Sequence, residues 1–512
     1  MTLLELIKAG RDDSVAIAAP DRRDLTYGDL RYLVVRTADR LLECGIGRGD
    51  CVAIVLPNGP EMATAFVAVA SAAIAAPLNA AYKASEFEFY LSDLKVSALI
   101  VEEGSNSPAI EVANLQHIPV IVLSSEEMTA AGDFELRLSG RDRSKERTPI
   151  SKTSKTSEPA TGKDIAMVLH TSGTTSRPKI VPLTHANICT SANNINRTLE
   201  LTALDRCLNI MPLFHIHGLI GATLASLSAG ASVYCTPGFN PLSFFSVLEE
   251  AAPTWYTGVP TMHQAILARA DRNKGIIGKS ALRFIRSSSS SLAPQVMAAL
   301  EKTFDTPVIE SYGMTEAAHQ MTSNPLPPGK RKPGTVGVSA GPEVAIMDDA
   351  DNLLEVGALG EIVIRGENVT PGYENNPSAN EENFINGWFR TGDQGVIDKE
   401  GYLTITGRLK EIINRGGEKI SPREVDDVLM DHRAVMQVVT FAMPHPKLGE
   451  EVAAAVVLRE GESATEQEIR AFASEHLARF KVPKRVLFLD EIPKGATGKL
   501  QRIGLAQKLG LA

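Results

Sequence analysis

The chain has 512 residues, of which 44% are hydrophobic and 22% are charged, a composition typical of globular proteins. This length is too great for a single hydrophobic core, so we expect at least two domains. The net charge of −9 argues against a general nucleic-acid-binding protein, so we expect no nucleic-acid partner.

Signals for export or membrane insertion are not evident in the sequence. The first residues include an acid, Glu5, and the ending Gly510-Leu511-Ala512 is not an S-K-L-type address. The longest apolar stretch, residues 63–78, is alanine-rich and predicts a buried helix rather than a membrane span. The five cysteines are scattered without metal-ligand spacing, which indicates a reducing compartment. We therefore expect a cytoplasmic protein without a membrane span; its oligomeric state stays open.

Helical and strand-like segments alternate along the first part of the chain. Residues 27–44 have helical spacing of apolar side chains, and residues 50–56, 98–101 and 119–123 read as buried strands. This alternation predicts α/β layers with a largely parallel sheet. Residues 138–164 are polar and predict a surface loop, whereas residues 334–398 predict a small β-rich subdomain.

A domain boundary is predicted near residues 407–410. A Gly416-Gly417 turn follows, and then a unit of about one hundred residues, a usual domain size. In this unit residues 422–432 and 465–477 predict helices, the second with Thr465 and Glu468 as a capping box. Residues 435–442 and 452–458 predict strands.

The most informative stretch follows the apolar run 165–169 and is dense in hydroxyl groups, glycine and basic residues. Backbone N–H groups of such a turn, hydroxyl groups and an ammonium group can together bind phosphate. The order, with hydroxyls first and lysine last, differs from that of the GxxxxGK[ST] loop. A solvated turn is the alternative. The candidate phosphate-binding residues are Thr171, Ser172, Gly173, Thr174, Thr175 and Lys179.

Four further clusters carry side chains suited to a nucleotide. Residues 310–316 combine an aromatic ring, a glycine, a hydroxyl and a carboxylate, and Asp393 lies in a turn where it could accept bonds from a ribose diol. Arg408 has a planar fork that suits oxygen-rich ligands, and Lys499 stands in a glycine-flanked loop. Each cluster alone is weak, because such residues are more often simply solvated.

Together and in this order, the clusters resemble those of the AMP-forming adenylating enzymes, which include acyl-CoA synthetases, adenylation domains and luciferase. The resemblance extends from about residue 25 to residue 502. It implies an α/β fold: a large N-terminal domain (1–407) of two α/β sheets plus a β-rich subdomain, a hinge (408–410), and a small mobile α+β domain (411–512). It also implies ATP, Mg²⁺ and CoA as cofactors.

The resemblance also implies a role for each motif. Residues 171–179 would cover the ATP phosphates, Thr315 would contact the α-phosphate, and Glu316, with Thr171, would hold Mg²⁺. Tyr312 would stack on adenine, and Asp393 and Arg408 would bind ribose. Lys499 would contact the carboxylate and α-phosphate, and Lys410 would be the hinge residue. The remaining cofactor contacts would come from Ser289, Ser290, Ser291, Glu310, Ser311, Gly416, Gly417 and Glu418. Members of the family usually have glycine where this chain has Ile180, so that position is either extended here or the loop end is reshaped.

The acid pocket implied by the resemblance is lined by polar and small residues: His215, His217, Gly218, the run from Arg286 to Ser291 that includes Ser289, Gly313 to Thr315, Ala318 and His319. Fatty acids need apolar walls, since each buried CH₂ contributes about 0.8 kcal/mol. Histidines and hydroxyls instead favour a small polar acid. The segments 213–219, 285–294, 314–319 and 323–327 are most similar to those of oxalate–CoA ligases, in which His319 and Ser289 would hold the distal carboxylate. The alternatives are a CoA ligase for another short, medium-chain or aromatic acid, an adenylation module loading a carrier protein, and a non-catalytic binding protein.

Overall fold

The computed structural model describes residues 1–126, 128–139, 160–171, 178–493 and 501–512. Two large sheets with helices on their faces form the N-terminal region, and two smaller sheets follow. The first sixteen strands are β1 (Val15–Ala18), β2 (Leu25–Thr26), β3 (Cys51–Val55), β4 (Ile74–Pro77), β5 (Ala98–Glu102), β6 (Val120–Ser124), β7 (Glu135–Leu138), β8 (Ile165–Thr171), β9 (Lys179–Thr184), β10 (Arg206–Asn209), β11 (Ser232–Cys235), β12 (Trp255–Gly258), β13 (Phe284–Ser287), β14 (Val308–Met314), β15 (His319–Ser323) and β16 (Val338–Ser339).

Eleven α-helices and a π-helical segment accompany these strands in the described residues. They are α1 (Leu3–Leu6), α2 (Tyr27–Glu43), α3 (Pro60–Ala72), α4 (Ala84–Asp93), α5 (Pro108–Leu115), α6 (His185–Thr198), the π-helix His217–Leu224, α7 (Ala225–Ser228), α8 (Phe244–Ala251), α9 (Pro260–Ala270), α10 (Lys274–Ile277) and α11 (Pro294–Phe304). The predicted helix 27–44 is confirmed, and Thr26 caps its start through a capping box with Asp29.

Both large sheets are parallel in the middle and antiparallel at their edges. One has the order β7-β6-β5-β3-β4-β8-β9, with β7 and β9 antiparallel to their neighbours. The other has the order β16-β15-β14-β13-β12-β10-β11-β1-β2, and its strands from β14 to β1 are parallel. Helix α3 lies between them, since it contacts β3 and β8 of the first sheet and β11 of the second. The predicted α/β layers are confirmed.

The prediction of a single buried helix over residues 63–78 is half correct. Helix α3 ends at Ala72, and Ile74–Pro77 form β4, which lies parallel to β3 and β8 in the sheet interior. An all-buried helix and an all-buried parallel strand have the same apolar composition, so the pattern does not reveal where one gives way to the other. The expected surface loop, 138–164, lies mostly outside the described residues.

The β-rich subdomain and the C-terminal unit have one antiparallel-rich sheet each. The subdomain contains β17 (Glu343–Met347), β18 (Gly360–Arg365), α12 (Pro377–Asn383), β19 (Phe384–Ile385), β20 (Trp388–Ile397) and β21 (Leu403–Arg408). The C-terminal unit contains β22 (Ile413–Arg415), β23 (Glu418–Ile420), α13 (Pro422–Met430), β24 (Val435–His445), β25 (Gly449–Leu458), α14 (Glu466–His476), β26 (Arg485–Phe488) and α15 (Leu505–Lys508). The capping box of α14 is confirmed: the Thr465 hydroxyl accepts from the Glu468 amide, and the Glu468 carboxylate accepts from the Thr465 amide.

Candidate active site

Several candidate site residues lie where parallel strands of the nine-stranded sheet end. Strands β10, β12, β13 and β14 run in one direction, so their carboxyl ends share one edge. The segments that leave this edge carry His215, Ser289 and Thr315. Crevices at the carboxyl ends of parallel strands are the usual ligand sites of α/β sheets.

The two ends of the candidate phosphate loop face each other across a hairpin. Thr171 pairs with Lys179 in the β8–β9 register, while Ser172, Gly173, Thr174 and Thr175 lie outside the described residues. The Lys179 ammonium stands 4.4 Å from the centroid of the Tyr373 ring. Burial lowers the pKa of Lys179, and the nearby Lys410 cation lowers it further. An anionic ligand between these two cations would be stabilised by both.

The backbone at Ile180 is extended, so this position does not need the glycine that is usual there. Ile180 lies in β9 and pairs with His170 in β8. Its side chain is buried, and its carbonyl accepts a hydrogen bond from the Glu374 amide at 3.1 Å. A β-branched residue suits this strand conformation. The first of the two expectations for this position is therefore confirmed.

Glu316 is a buried carboxylate on a short 3₁₀ turn, Thr315–Ala317, directly after β14. Its Oε1 accepts a hydrogen bond from the Tyr373 hydroxyl at 2.9 Å. Burial raises the pKa of Glu316, while the Tyr373 bond and the Lys179 and Arg408 cations oppose this rise. A carboxylate has the oxygen donors that Mg²⁺ prefers, and the joint role of Glu316 and Thr171 in holding it stays a prediction.

Tyr312, Asp393 and Arg408 form a connected group. The Tyr312 hydroxyl donates to one Asp393 oxygen at 2.5 Å, and Arg408 Nε donates to the other at 2.9 Å. The pairing follows from the register, which sets Asp393 opposite Arg408 on β20 and β21. Burial and the adjacent Asp393 carboxylate raise the pKa of Tyr312. The predicted aromatic and ribose-binding residues are thus brought together, although their contacts with a nucleotide stay a prediction.

Glu310 holds the loop that contains Ser289–Ser291 through a hydrogen bond at its end. Glu310 is buried, and its Oε1 accepts from the Leu292 amide at 2.9 Å. Burial raises the pKa of Glu310 to about 7. Ser311 is also buried, and its carbonyl accepts from the Ser288 hydroxyl at 3.0 Å. Glu310 and Ser311 therefore fix the loop, while Ser290 and Ser291 are exposed.

The predicted acid-binding residues form a layer of histidines. His217 Nδ1 lies 3.0 Å from Ser289 Oγ, and its Nε2 lies 2.6 Å from Thr257 Oγ1. The His319 ring stacks on His217, with centroids 4.9 Å apart and planes 28° apart. His215 is partly buried two residues before His217, against the Phe214 ring. Gly313 passes the His319 backbone so closely that a Cβ there would lie 1.6 Å from the His319 carbonyl oxygen.

The C-terminal candidates lie on exposed or undescribed parts of the chain. Gly416 and Gly417, with φ of 59° and 95°, form the two-residue turn between β22 and β23, and both are exposed with Glu418. Positive φ at both turn positions is the geometry that favours glycine. Lys410 is exposed in the 3₁₀ turn Leu409–Glu411 that follows β21. Lys499 lies outside the described residues.

Two family models match the chain. The model for AMP-binding enzymes covers residues 6–374, and the model for their C-terminal domain covers residues 424–499. The chain belongs to the AMP-binding enzyme family. This membership confirms the resemblance that the sequence motifs indicate, and ATP with Mg²⁺ and CoA are the cofactors of the CoA ligases in this family.

Relatives of this AMP-binding enzyme are similar over nearly the whole chain. An oxalate–CoA ligase of Arabidopsis thaliana is 46% identical, with 99% of this chain and 97% of the relative covered. An oxalate–CoA ligase of Saccharomyces cerevisiae is 44% identical, with 97% and 94% covered. The crystal structure of ATP-bound MatB from Rhodopseudomonas palustris has a TM-score of 0.87 at 28% identity, with 99% of both chains covered. The predicted fold class is confirmed.

Tyr373 is a residue of this AMP-binding enzyme that the motif analysis missed. Its ring lies against the Lys179 ammonium and its hydroxyl donates to Glu316, so Tyr373 joins the β8–β9 hairpin to this carboxylate. A Pro371-Gly372-Tyr373 turn was a visible signal, since a tyrosine after a Pro-Gly turn carries a polar group into a loop.

No described helix is both long and apolar enough to cross a membrane.

Proposed function

We propose that this AMP-binding enzyme is an oxalate–CoA ligase, which converts oxalate to oxalyl-AMP with ATP and then transfers the oxalyl group to CoA. The observation that carries the proposal is the near full-length similarity to two oxalate–CoA ligases from a plant and a yeast. The polar acid pocket around His217, Ser289 and His319 supports it, because it offers a short dicarboxylic acid hydrogen bonds in place of apolar walls.

The chemistry explains why a nucleotide is needed. A carboxylate is a poor acyl donor because its leaving group would be oxide. Attack of a carboxylate oxygen on the ATP α-phosphorus expels pyrophosphate and gives a mixed anhydride whose leaving group is AMP. In the second step the CoA sulfur attacks the acyl carbon, AMP leaves, and the thiol proton passes to solvent or to AMP.

The residues of this chain would bring two anions together and offset their repulsion. Lys179 and Lys499 would place positive charge at the phosphates and at the reacting carboxylate. Tyr312, Asp393 and Arg408 would orient the nucleoside, and Ser289–Ser291 would line its other side. Mg²⁺ bound with ATP would supply further charge neutralisation, with Glu316 and Thr171 as its protein oxygen donors.

The two half-reactions need different groups at one acyl carbon. We place residues 1–407 and 411–512 in two domains that pivot at residues 408–410, with Lys410 as the hinge. One orientation would present Lys499 for adenylation, and the other would present Gly416, Gly417 and Glu418 to the CoA arm, near His215. We place the reaction in the cytoplasm, a location that the five free cysteines favour.

The test measures product as well as nucleotide turnover. Purified protein is incubated with ATP, Mg²⁺, CoA and, in turn, oxalate, malonate, acetate, hexanoate and 4-coumarate. Pyrophosphate release is followed, and the acyl-CoA is identified by its mass. Oxalyl-CoA as the preferred product supports the proposal, whereas preference for hexanoate or 4-coumarate overturns it. Pyrophosphate release that needs a carrier protein rather than CoA would favour an adenylation module.

A further inference from the structure

Behind the histidine layer lies a buried arginine with an unusual set of partners. Arg286 is on β13 in the middle of the nine-stranded sheet, and it is fully buried. Its Nη1 donates to His319 Nε2 and its Nη2 donates to Gln320 Oε1, each at 3.1 Å. Its Nε is buried and has no hydrogen-bond partner among the described residues.

Neither hydrogen-bond partner of this guanidinium is an anion. Among the described residues, no carboxylate forms an ion pair with Arg286; besides His319, the titratable group that interacts with it is the thiol of Cys207. Burial holds the pKa of that thiol well above its ordinary value, so the thiol carries no charge at neutral pH. Burial lowers the pKa of Arg286 itself to about 10, so the guanidinium stays charged at neutral pH. A buried cation without an anion is costly, and such sites usually have a counter-charge.

The Arg286 bond also fixes the state of His319. A guanidinium has donors only, so His319 Nε2 must be the accepting nitrogen and the ring proton is on Nδ1. The ring itself is held in place: His319 has a φ of 103°, and a Cβ at Gly221 would lie 2.5 Å from its Nε2. The permanent positive charge of this region is that of the Arg286 guanidinium.

We propose that Arg286 makes the acid pocket selective for acids with a second carboxylate by placing a permanent positive charge behind His319. Arg286 is a positioning residue that acts through the imidazole it polarises, and the substrate's distal carboxylate is the missing counter-charge. The proposal rests on the proposed function, because it assigns the residue that selects the substrate of that same site. It predicts that a dianionic acid is favoured over a monoanionic acid of the same size.

Oxalate and oxamate are the matched pair of acids for the test, since oxamate replaces one carboxylate with a neutral carboxamide. The ratio of kcat/KM values for the two acids is measured in the wild type, Arg286→Met, Arg286→Gln and Arg286→Lys. In the two neutral variants, Arg286→Met and Arg286→Gln, the ratio of kcat/KM for oxalate to that for oxamate should fall at least about 30-fold, as when one partner of a buried charge pair is removed. Arg286→Gln retains a donor for His319, so it separates the charge from the hydrogen bond. Arg286→Lys should keep most of the preference.

The KM for ATP and the thermal unfolding midpoint are the controls, since a merely structural role would change them and leave the ratio alone. A neutral variant that folds and keeps the wild-type ratio overturns the inference, and so does an Arg286→Lys variant that loses the ratio as fully as Arg286→Gln. If the wild type uses malonate instead of oxalate, the proposed function fails, but the inference is tested in the same way with malonate and its monoamide. If the wild type uses only monocarboxylic acids, both fail.

Discussion

Gly313→Ala should disable the acid pocket through the backbone alone. A Cβ at position 313 would lie 1.6 Å from the His319 carbonyl oxygen and 2.5 Å from the His319 carbonyl carbon. Ordinary contacts need more than 3 Å, so β14 and β15 must separate by well over 1 Å where Gly313 pairs with Gln320. Overpacking against backbone of this kind costs on the order of 3 kcal/mol. A displacement of about 1 Å in a positioned residue can cost about 10²-fold in activity, so kcat/KM for oxalate should fall by that order.

The assay pairs steady-state kinetics with thermal unfolding, and the chain offers a matched control. Gly49→Ala adds the same methyl group at an exposed position where nothing lies within 4 Å, so its Tm and activity should equal those of the wild type. Gly313→Ala should lower the Tm by several degrees and raise the KM for oxalate more than that for ATP. If Gly313→Ala behaves as Gly49→Ala does, the close approach of β14 to His319, and the reasoning built on it, would be refuted.

Three further outcomes are expected. Lys499→Ala should lose about 10²–10³-fold in acyl-adenylate formation but keep the transfer of supplied acyl-AMP to CoA, which separate assays of the half-reactions would reveal. Tyr373→Phe removes a hydrogen bond that favours the ionised Glu316, so the acid limb of the pH–rate profile should move to higher pH; Tyr402→Phe, which removes a tyrosine hydroxyl outside the site, should leave it in place. Burial raises the pKa of Glu310 to about 7. Its contribution to stability is therefore fully present below its ordinary pKa near 4.5 and is lost as the pH rises through about 7. The difference in unfolding midpoint between Glu310→Gln and the wild type should accordingly shift in favour of Glu310→Gln between pH 5 and pH 8.

The spacing of apolar residues along the chain predicts the helices and strands of this fold well wherever either the helical or the strand period dominates. The predicted strands 98–101 and 119–123 appear as β5 and β6, and the predicted helix 422–432 appears as α13, within one or two residues at each end. The failure at residues 63–78 has a physical cause, because burial on every side removes the amphipathic signal that distinguishes a helix from a strand. The predicted strand 452–458 is longer in the structure, since β25 begins at Gly449 opposite His445.

The sequence motifs predict the candidate nucleotide-binding residues but not the side-chain contacts between them. Asp393 and Arg408 are each visible as polar residues in a short motif, yet their ion pair depends on the register between β20 and β21. Tyr373 and Glu316 are 57 residues apart and meet only in the folded chain. Long-range side-chain pairs of this kind cannot be derived from spacing along one element, since they depend on how strands from distant segments align.

The buried arginine was nevertheless visible as an exception to its own strand. Phe284-Ile285-Arg286 lies between parallel neighbours on both sides, and both faces of such a strand are covered, so each of its side chains is expected to be apolar. A permanent cation at that position costs folding free energy, which selection tolerates where function requires the charge. The charged residue inside a central strand is therefore a stronger indication of substrate chemistry than the serines that follow it. A serine can be exposed at little cost in free energy, whereas a buried guanidinium is stabilised by a nearby anion.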